Sequence, residues 1–153
     1  MDKKLLFIVN PRAGRTKSFA PLFDAVACFS KAGYLVKVFL TEGRGDATRA
    51  AAELGGAYDL VVCAGGDGTF NEMVSGLMQL DHPPVLGYIP FGSTNDCAAN
   101  LGLPRIPRQA AAIAAGVYKD YKDAAKHMVR VSSRVYPNPD RIDIYNKKFE
   151  RYM

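Results

Sequence analysis

Residues 60–72 constrain the fold of this chain more strongly than any other segment. Residues 60–64 are apolar and predict a short buried strand, which breaks into the glycine-rich turn 65–68 before an amphipathic helix pattern begins at Thr69. A strand that leads through such a turn into a helix N-terminus gathers unpaired backbone N–H groups, and the helix dipole reinforces them. Proteins hold phosphate in this way, so the segment predicts a phosphate-binding turn.

Asp67 is the unexpected residue of this turn, because its carboxylate repels phosphate. Its presence is explained when a metal ion lies between the carboxylate and the phosphate, or when the carboxylate takes a proton from an attacking nucleophile. Both interpretations favour phosphoryl transfer as the chemistry of the site.

Strand and helix patterns alternate along the chain and are separated by short joints marked by glycine. This alternation predicts an α/β fold, with an open, mostly parallel sheet and helices on both faces. We expect Asp46 to cap the second helix. The predicted strands are 5–9, 34–40, 60–64 and 85–89, and the predicted helices are 19–32, 46–54, 69–80, a helix from 93 or 94 onward, and 107–118.

Four joints at the carboxyl ends of the predicted strands carry polar residues together with glycine. They are residues 10–15, 41–43, 65–72 and 90–96. Ligands bind at this edge of an open parallel sheet, so the four joints together predict one binding site.

Taken singly, several residues of these joints also have structural explanations. Asn10 and Gly14 fit a simple turn, and Thr41 fits a cap of the segment that follows it. Thr69 and Glu72 have the spacing of a capping box, which leaves other N–H groups of the helix free for phosphate. Thr94 and Asn95 similarly fit caps of the next helix, whose positive end Asp96 would favour.

Composition and charge set the remaining limits. The 153 residues are 48% apolar, which is enough for the core of one domain, and no apolar run is long enough to predict a membrane span. Cys28, Cys63 and Cys97 are far apart in apolar or small-residue contexts, so we expect buried free thiols, as in a reducing cytoplasm. The basic excess lies from Arg105 onward, where 11 Lys and Arg residues stand against 5 Asp and Glu residues.

Several familiar sites are missing from the sequence. It has no Gly-x-x-x-x-Gly-Lys-Ser/Thr loop, no spaced Rossmann glycine pattern, no nucleophile elbow and no zinc spacing. His82 and His127 lie outside the four joints and have no evident partner. The basic and aromatic residues of the last third match no nucleic-acid motif, so no nucleic-acid partner is expected.

Three blocks of the sequence match one family in order and spacing. They are Asn-Pro-x-Ala-Gly at 10–14, Gly-Gly-Asp-Gly-Thr-x-Asn-Glu at 65–72 and Pro-x-Gly-Ser-Thr-Asn-Asp at 90–96. Together they resemble the diacylglycerol-kinase-type catalytic domain that bacterial soluble lipid kinases, sphingosine kinases and ceramide kinases share. The resemblance covers about residues 3–118, whereas the Gly-Gly-Asp-Gly core alone is also similar to NAD kinases and phosphofructokinases.

The resemblance implies a transferase that moves the γ-phosphate of ATP to the hydroxyl of diacylglycerol or a similar lipid, with ATP and Mg²⁺ as cofactors. Asp67 would be the catalytic residue, acting through ATP-bound Mg²⁺ or as part of the proton-acceptor apparatus. The residues that would contact ATP are Asn10, Pro11, Arg12, Ala13, Gly14, Thr41, Gly65, Gly66, Asp67, Gly68, Thr69, Phe70, Asn71, Glu72 and Thr94.

The resemblance also implies three parts of the chain. Residues 1–118 would form the nucleotide-binding α/β catalytic domain, similar to the N-terminal domain of NAD kinases and phosphofructokinases. Residues 119–140 would be a basic linker or irregular segment, and residues 141–153 resemble the first hairpin of a C-terminal β-sandwich domain. Family members are nearly twice as long, so we expect catalysis to be incomplete without a C-terminal domain.

Four expectations concern partners and location: a lipid alcohol as substrate, transient contact of the basic end with an anionic membrane surface, a cytoplasmic protein peripheral to the membrane, and a homodimer through the hairpin. Two alternative functions stay open. One is a NAD-kinase-like phosphotransferase, and the other is a non-catalytic nucleotide-binding or interaction module.

Overall fold

The fold is a four-stranded parallel sheet between two layers of helices. The computed structural model describes residues 3–14, 20–100, 102–104 and 106–116. The strands are β1 (Lys3–Val9), β2 (Tyr34–Leu40), β3 (Leu60–Gly65) and β4 (Val85–Pro90). The helices are α1 (Ala20–Lys31), α2 (Asp46–Leu54), α3 (Asp67–Leu77), α4 (Asp96–Asn100) and α5 (Pro107–Ala114), and a 3₁₀ turn at Gly55–Ala57 follows α2.

The strand order β2-β1-β3-β4 creates a switch point between β1 and β3. All neighbouring strands are parallel, and the register pairs Val9 with Leu40 on one side and with Ala64 on the other. The chain leaves β1 toward α1 on one face of the sheet and leaves β3 toward α3 on the opposite face. A crevice opens where two such connections diverge, and it is the usual ligand site of this architecture.

Each face of the sheet is covered by its own helices. Leu5, Phe7 and Val9 of β1 lie in a core with residues of α1 and α5. Leu6 and Ile8 lie in a second core with residues of α2, α3 and α4. Successive residues of a strand point to opposite faces, so β1 is apolar throughout because both of its faces are buried. The predicted α/β sheet with helices on both faces is therefore confirmed.

Predictions for individual elements agree best where periodicity is strong. The bounds of β2 and α2 are as predicted, α1 is one residue shorter at each end, and β1, β3 and β4 differ from prediction by one or two residues at one end only. The predicted start of α3 at Thr69 is wrong, because Asp67 and Gly68 already belong to the helix, and α3 ends at Leu77. The helix expected from 93 or 94 begins at Asp96.

Some expectations lie outside the described residues. These are the linker 119–140, the hairpin 141–153 and the end of the predicted helix 107–118 beyond Gly116. The three cysteines are free thiols, as expected, but only Cys63 is buried, while Cys28 and Cys97 are half-buried. Burial raises the pKa of the Cys63 thiol, so it stays protonated.

Candidate active site

Asn10 connects the two chain segments that diverge at the switch point. Its side-chain Nδ2 donates a hydrogen bond of 2.9 Å to Oγ1 of Thr69 in the first turn of α3. Its backbone N–H donates to the carbonyl of Ala64 at the end of β3, also at 2.9 Å. Its Oδ1 accepts from the N–H of Arg12 at 2.9 Å. A single side chain thus fixes the joint after β1 against the joint after β3.

An open polar cleft of about 330 Å³ lies beside this contact. Arg12 and Arg44 give it positive charge, and Glu42 and Glu72 give it negative charge. Three of the four predicted joints therefore supply its walls, whereas no lining residue comes from the joint at 90–96. The lining residues are Asn10, Arg12, Thr41, Glu42, Gly43, Arg44, Gly68, Thr69 and Glu72.

The first turn of α3 faces this cleft with Gly68 and Thr69. Gly66 is the N-cap residue, and the first backbone hydrogen bond of the helix runs from the N–H of Phe70 to the carbonyl of Gly66 at 3.1 Å. The preceding amides of the turn have no carbonyl partner inside the helix. The capping-box interpretation of Thr69 and Glu72 is wrong, because Thr69 is the third residue of the helix and its hydroxyl accepts from Asn10.

Asp67 reaches away from the cleft toward the start of α4. Its Oδ2 accepts from the N–H of Asp96 at 2.9 Å, and its Oδ1 accepts from the N–H of Cys97 at 3.0 Å. Asp67 therefore satisfies two first-turn amides of a helix that begins 29 residues later. Thr94 or Asn95 was expected to cap this helix, but the side chain that binds its first amides is that of Asp67.

Asn95 closes the loop before α4 on itself. Its Oδ1 accepts from the N–H of Gly92 at 2.9 Å, and its Nδ2 donates to the carbonyl of Gly92 at 2.6 Å. The backbone of Asn95 is left-handed, with φ of 55°, a conformation that asparagine tolerates better than most residues. This loop packs directly against the turn at residues 65–68, because a Cβ added to Gly92 would lie 2.6 Å from the Cα of Gly66.

Tyr88 contacts both of these loops, and its place in β4 was the only sign of it in the sequence. Its ring stacks on Phe70 with 4.4 Å between centroids. Its hydroxyl donates to the carbonyl of Gly65 at 3.2 Å, so the phenol contacts the turn directly. Burial, followed by the charge of Asp67, raises the pKa of Tyr88 above its usual value, so the hydroxyl remains a donor.

The structure places six of the fifteen predicted nucleotide residues in the cleft lining, namely Asn10, Arg12, Thr41, Gly68, Thr69 and Glu72. Pro11 lines an apolar pocket with Val9 and Leu40 on the other face. Ala13 donates its N–H to the carbonyl of Asn10 at 3.1 Å, which confirms the predicted turn. The predicted residues that do not line the cleft are Pro11, Ala13, Gly14, Gly65, Gly66, Asp67, Phe70, Asn71 and Thr94.

Three lining residues were not predicted as ligand contacts. Glu42, Gly43 and Arg44 follow Thr41 on the rim of the cleft. The backbone N–H of Thr41 donates to the carbonyl of Val9 at 2.9 Å, which extends the β1–β2 pairing into this joint. Their position at the carboxyl end of β2 was the available signal, since the joints after β1 and β3 reach the same cleft.

The model of the diacylglycerol kinase catalytic domain matches residues 4–128, which is most of the chain. The chain belongs to the diacylglycerol kinase catalytic domain family. A curated diacylglycerol kinase of Bacillus subtilis (strain 168) is 46% identical over 104 residues, covering 67% of this chain and 34% of the relative. A diacylglycerol kinase of Staphylococcus epidermidis is 43% identical over 105 residues, covering 68% of this chain and 33% of the relative.

Solved structures in the diacylglycerol kinase family share the fold. A crystal structure of a diacylglycerol kinase from Bacillus anthracis str. Sterne has a TM-score of 0.69 at 34% identity, over 76% of this chain and 41% of that chain. The matched part of this chain thus spans about a third of the length of the curated relatives. In the part of the chain that the structure describes, none of the helices has the length and apolarity needed to cross a bilayer.

Proposed function

We propose that this chain binds ATP in the cleft at the switch point and is the nucleotide-binding part of a lipid kinase. Such a kinase transfers the γ-phosphate of ATP to the hydroxyl of diacylglycerol or a similar lipid. The Asn10–Thr69 hydrogen bond carries the proposal, because it fixes the first turn of α3 against the joint after β1 in the cleft that Arg12 and Arg44 also line. Membership of the diacylglycerol kinase family supports the lipid as acceptor.

The residues of the cleft suit the demands of phosphoryl transfer. The reaction needs mainly positioning and neutralisation of phosphate charge, which backbone N–H groups and cations supply. The amides of Gly68 and Thr69 would hold phosphate oxygens, and the guanidinium groups of Arg12 and Arg44 would balance their charge. The attacking lipid hydroxyl must lose a proton, and a carboxylate is a suitable acceptor.

Asp67 is the proposed partner for ATP-bound Mg²⁺, although its carboxylate does not line the cleft. Within the described residues, no group of three or more His, Cys, Asp or Glu side chains could hold a metal ion by itself. Magnesium in kinases takes most of its ligands from phosphate and water and needs only one or two carboxylates. Each Asp67 oxygen accepts one amide of α4 and keeps a further lone pair for the ion, but the carboxylate lies outside the cleft lining, so this role requires the phosphates to extend from the cleft toward α4. The bound ion would neutralise phosphate charge.

Isothermal titration calorimetry with Mg-ATP tests the cleft, with Gly68 as the site of a matched pair of variants. A Cβ at Gly68 meets nothing within 4 Å, so the fold has open space at this position, and Gly68→Asp and Gly68→Asn introduce side chains of the same shape that differ in charge. We expect Gly68→Asp to weaken binding by at least about tenfold relative to Gly68→Asn, because its carboxylate faces the phosphates. No binding by the wild type, or equal binding by the two variants, would reject the cleft.

Transfer of labelled phosphate in mixed micelles tests the acceptor. Label on diacylglycerol supports the lipid kinase, and label on NAD instead supports the NAD-kinase-like alternative. Binding of Mg-ATP with no transfer to either acceptor favours the nucleotide-binding module. Because the matched region is about a third of the relatives' length, the transfer assay includes this chain alone and a chain extended to the length of those relatives.

The proposal extends to transient contact with an anionic membrane and to a cytoplasmic protein that acts at that surface. The excess of Lys and Arg from residue 105 onward supports the contact. Vesicle sedimentation should then increase with the anionic lipid fraction and decrease with salt, and insensitivity to both would reject it. The homodimer through residues 141–153 is tested by sedimentation velocity over a range of concentrations.

A further inference from the structure

Residues 42–44, which follow β2, form one rim of the cleft. A carboxylate at the start of α2 binds the backbone of this rim. Asp46 is the first residue of α2, and its Oδ2 accepts from the N–H of Glu42 at 2.8 Å and from the N–H of Gly43 at 3.0 Å. Its other oxygen, Oδ1, accepts from the guanidinium of Arg49 at 3.0 Å. Both oxygens of Asp46 are therefore engaged, one of them by two amides of the rim.

The local sequence explains why Asp46 reaches backward. Gly45, the N-cap residue of α2, has φ of 87°, a left-handed conformation that favours glycine. This turn brings the side chain of the next residue back over the preceding loop. The expectation that Asp46 caps α2 is therefore wrong, because the residue lies inside the helix and its carboxylate binds amides that precede it.

The helix that carries Asp46 is fixed to the opposite wall of the cleft. The hydroxyl of Thr48 donates to the carbonyl of Glu72 in α3 at 3.0 Å. Ala47, Ala50 and Ala51 of α2 are buried in the core that α2 shares with α3. We call the two hydrogen bonds from the Glu42 and Gly43 amides to Asp46 the clamp. The helix that carries the clamp is packed against α3 and bonded to the backbone of Glu72, a residue of the cleft lining.

We propose that Asp46 is a positioning residue for the nucleotide site: it holds the backbone of Glu42 and Gly43 so that Thr41 and Arg44 face the cleft. The inference rests on the proposed nucleotide binding and adds a residue that does not itself line the cleft. Arg49 acts on the carboxylate alone, and its side chain is 59% exposed, so its own effect on the rim is small.

Three variants separate the clamp from the ion pair. Asp46→Ala removes the oxygen that accepts both rim amides. Asp46→Asn retains an oxygen that accepts both amides and loses the charge that Arg49 contacts. Arg49→Ala removes the ion pair and leaves the clamp intact. If the clamp positions the rim, Asp46→Ala should change amide exchange and Mg-ATP affinity, whereas Asp46→Asn and Arg49→Ala should resemble the wild type in both.

The first measurement is amide hydrogen exchange of Glu42 and Gly43 in the ligand-free chain, which does not depend on nucleotide. We expect exchange at these two amides to be at least about tenfold faster in Asp46→Ala than in the wild type, and close to the wild type in Asp46→Asn and Arg49→Ala. Equal exchange in Asp46→Ala and the wild type would overturn the clamp.

The second measurement is the Kd for Mg-ATP, taken well below the unfolding temperature of each variant. We expect Asp46→Ala to weaken binding about tenfold and Asp46→Asn to restore most of the affinity. Unchanged affinity in Asp46→Ala would overturn the positioning role, even if the variant is less stable. If the wild type binds no Mg-ATP, the proposed function fails instead, and the exchange measurement still decides whether the clamp exists.

Discussion

Asp46 and Asp67 occupy the same position at the starts of two neighbouring helices, yet they hold different parts of the molecule. Each follows a glycine, begins a helix after a parallel strand and accepts hydrogen bonds from two backbone amides. Asp46 reaches amides three and four residues earlier in its own joint. Asp67 reaches amides 29 and 30 residues later, at the start of α4.

The same local pattern, an aspartate that follows glycine at the start of a helix, therefore makes a short-range contact in one place and a long-range contact in the other. The Asp46 clamp is local, so its formation costs little chain entropy and it shapes one rim of the cleft. The Asp67 bridge, which is the pair of hydrogen bonds from the Asp96 and Cys97 amides to Asp67, joins two strand–helix joints and closes a longer loop of chain, so its formation costs more chain entropy. We therefore expect changes near Asp67 to affect the whole domain and changes at Asp46 to affect mainly the rim.

The largest loss of stability is expected where Gly92 packs against the backbone of Gly66. Gly92→Ala places a Cβ 2.6 Å from the Cα of Gly66, and backbone cannot move aside as a flexible side chain does. We expect a loss of about 3 kcal/mol in the free energy of unfolding, measured by urea denaturation. Gly68→Ala is the control, because its Cβ meets nothing within 4 Å, and its stability should stay within about 1 kcal/mol of the wild type. Equal stability of the two variants would contradict the contact.

Removal of the bridge itself should have the next largest effect. Asp67→Ala leaves the amides of Asp96 and Cys97 without their acceptor, and we expect a loss of about 2 kcal/mol in unfolding free energy. Asp67→Asn keeps one accepting oxygen but turns an NH₂ group toward the other amide, so it should recover only part of the loss. Exchange of the Asp96 and Cys97 amides should rise with the loss of stability. Unchanged exchange at both amides would refute the bridge.

A third hydrogen bond links the two sides of the switch point and tests whether long-range contacts dominate. Thr69→Val removes the oxygen that accepts from Asn10 in a buried position, and we expect it to cost about 1 kcal/mol of stability. A double-mutant cycle with Asn10→Ala should give a coupling energy of at least about 0.5 kcal/mol. Additive effects of the two changes would mean that the contact contributes nothing specific.

The sequence predicted those features that depend on local pattern. Apolar periodicity located the strands, and the glycine-bearing joints located the edge of the sheet that carries the cleft. It failed at the start of α3, because glycine and aspartate have little helix preference and the periodic signal begins only at Thr69. It also missed the role of Asp67 in binding Asp96 and Cys97, because a hydrogen bond across 30 residues leaves no periodic signal.

The smallest expected effect is a pH dependence at Asp46. Hydrogen bonds from the N–H of Glu42, from Arg49 and from the N–H of Gly43 lower the pKa of Asp46 below its usual value of 3.8. A carboxylate whose pKa is lower in the folded state stabilises the fold above its unfolded pKa, and this contribution is lost as pH falls through the folded pKa. The other charged groups around this carboxylate are Arg49 and, near Arg49, Glu42 and Glu53.

The stability difference between the wild type and Asp46→Asn should therefore stay constant between about pH 7 and 5 and shrink below about pH 4, because only the wild type has the titrating group. Urea unfolding at several pH values measures it, and Arg49→Ala serves as the control that keeps the carboxylate. A difference that grows as pH falls would reverse the sign and show that the carboxylate form of Asp46 does not hold the rim.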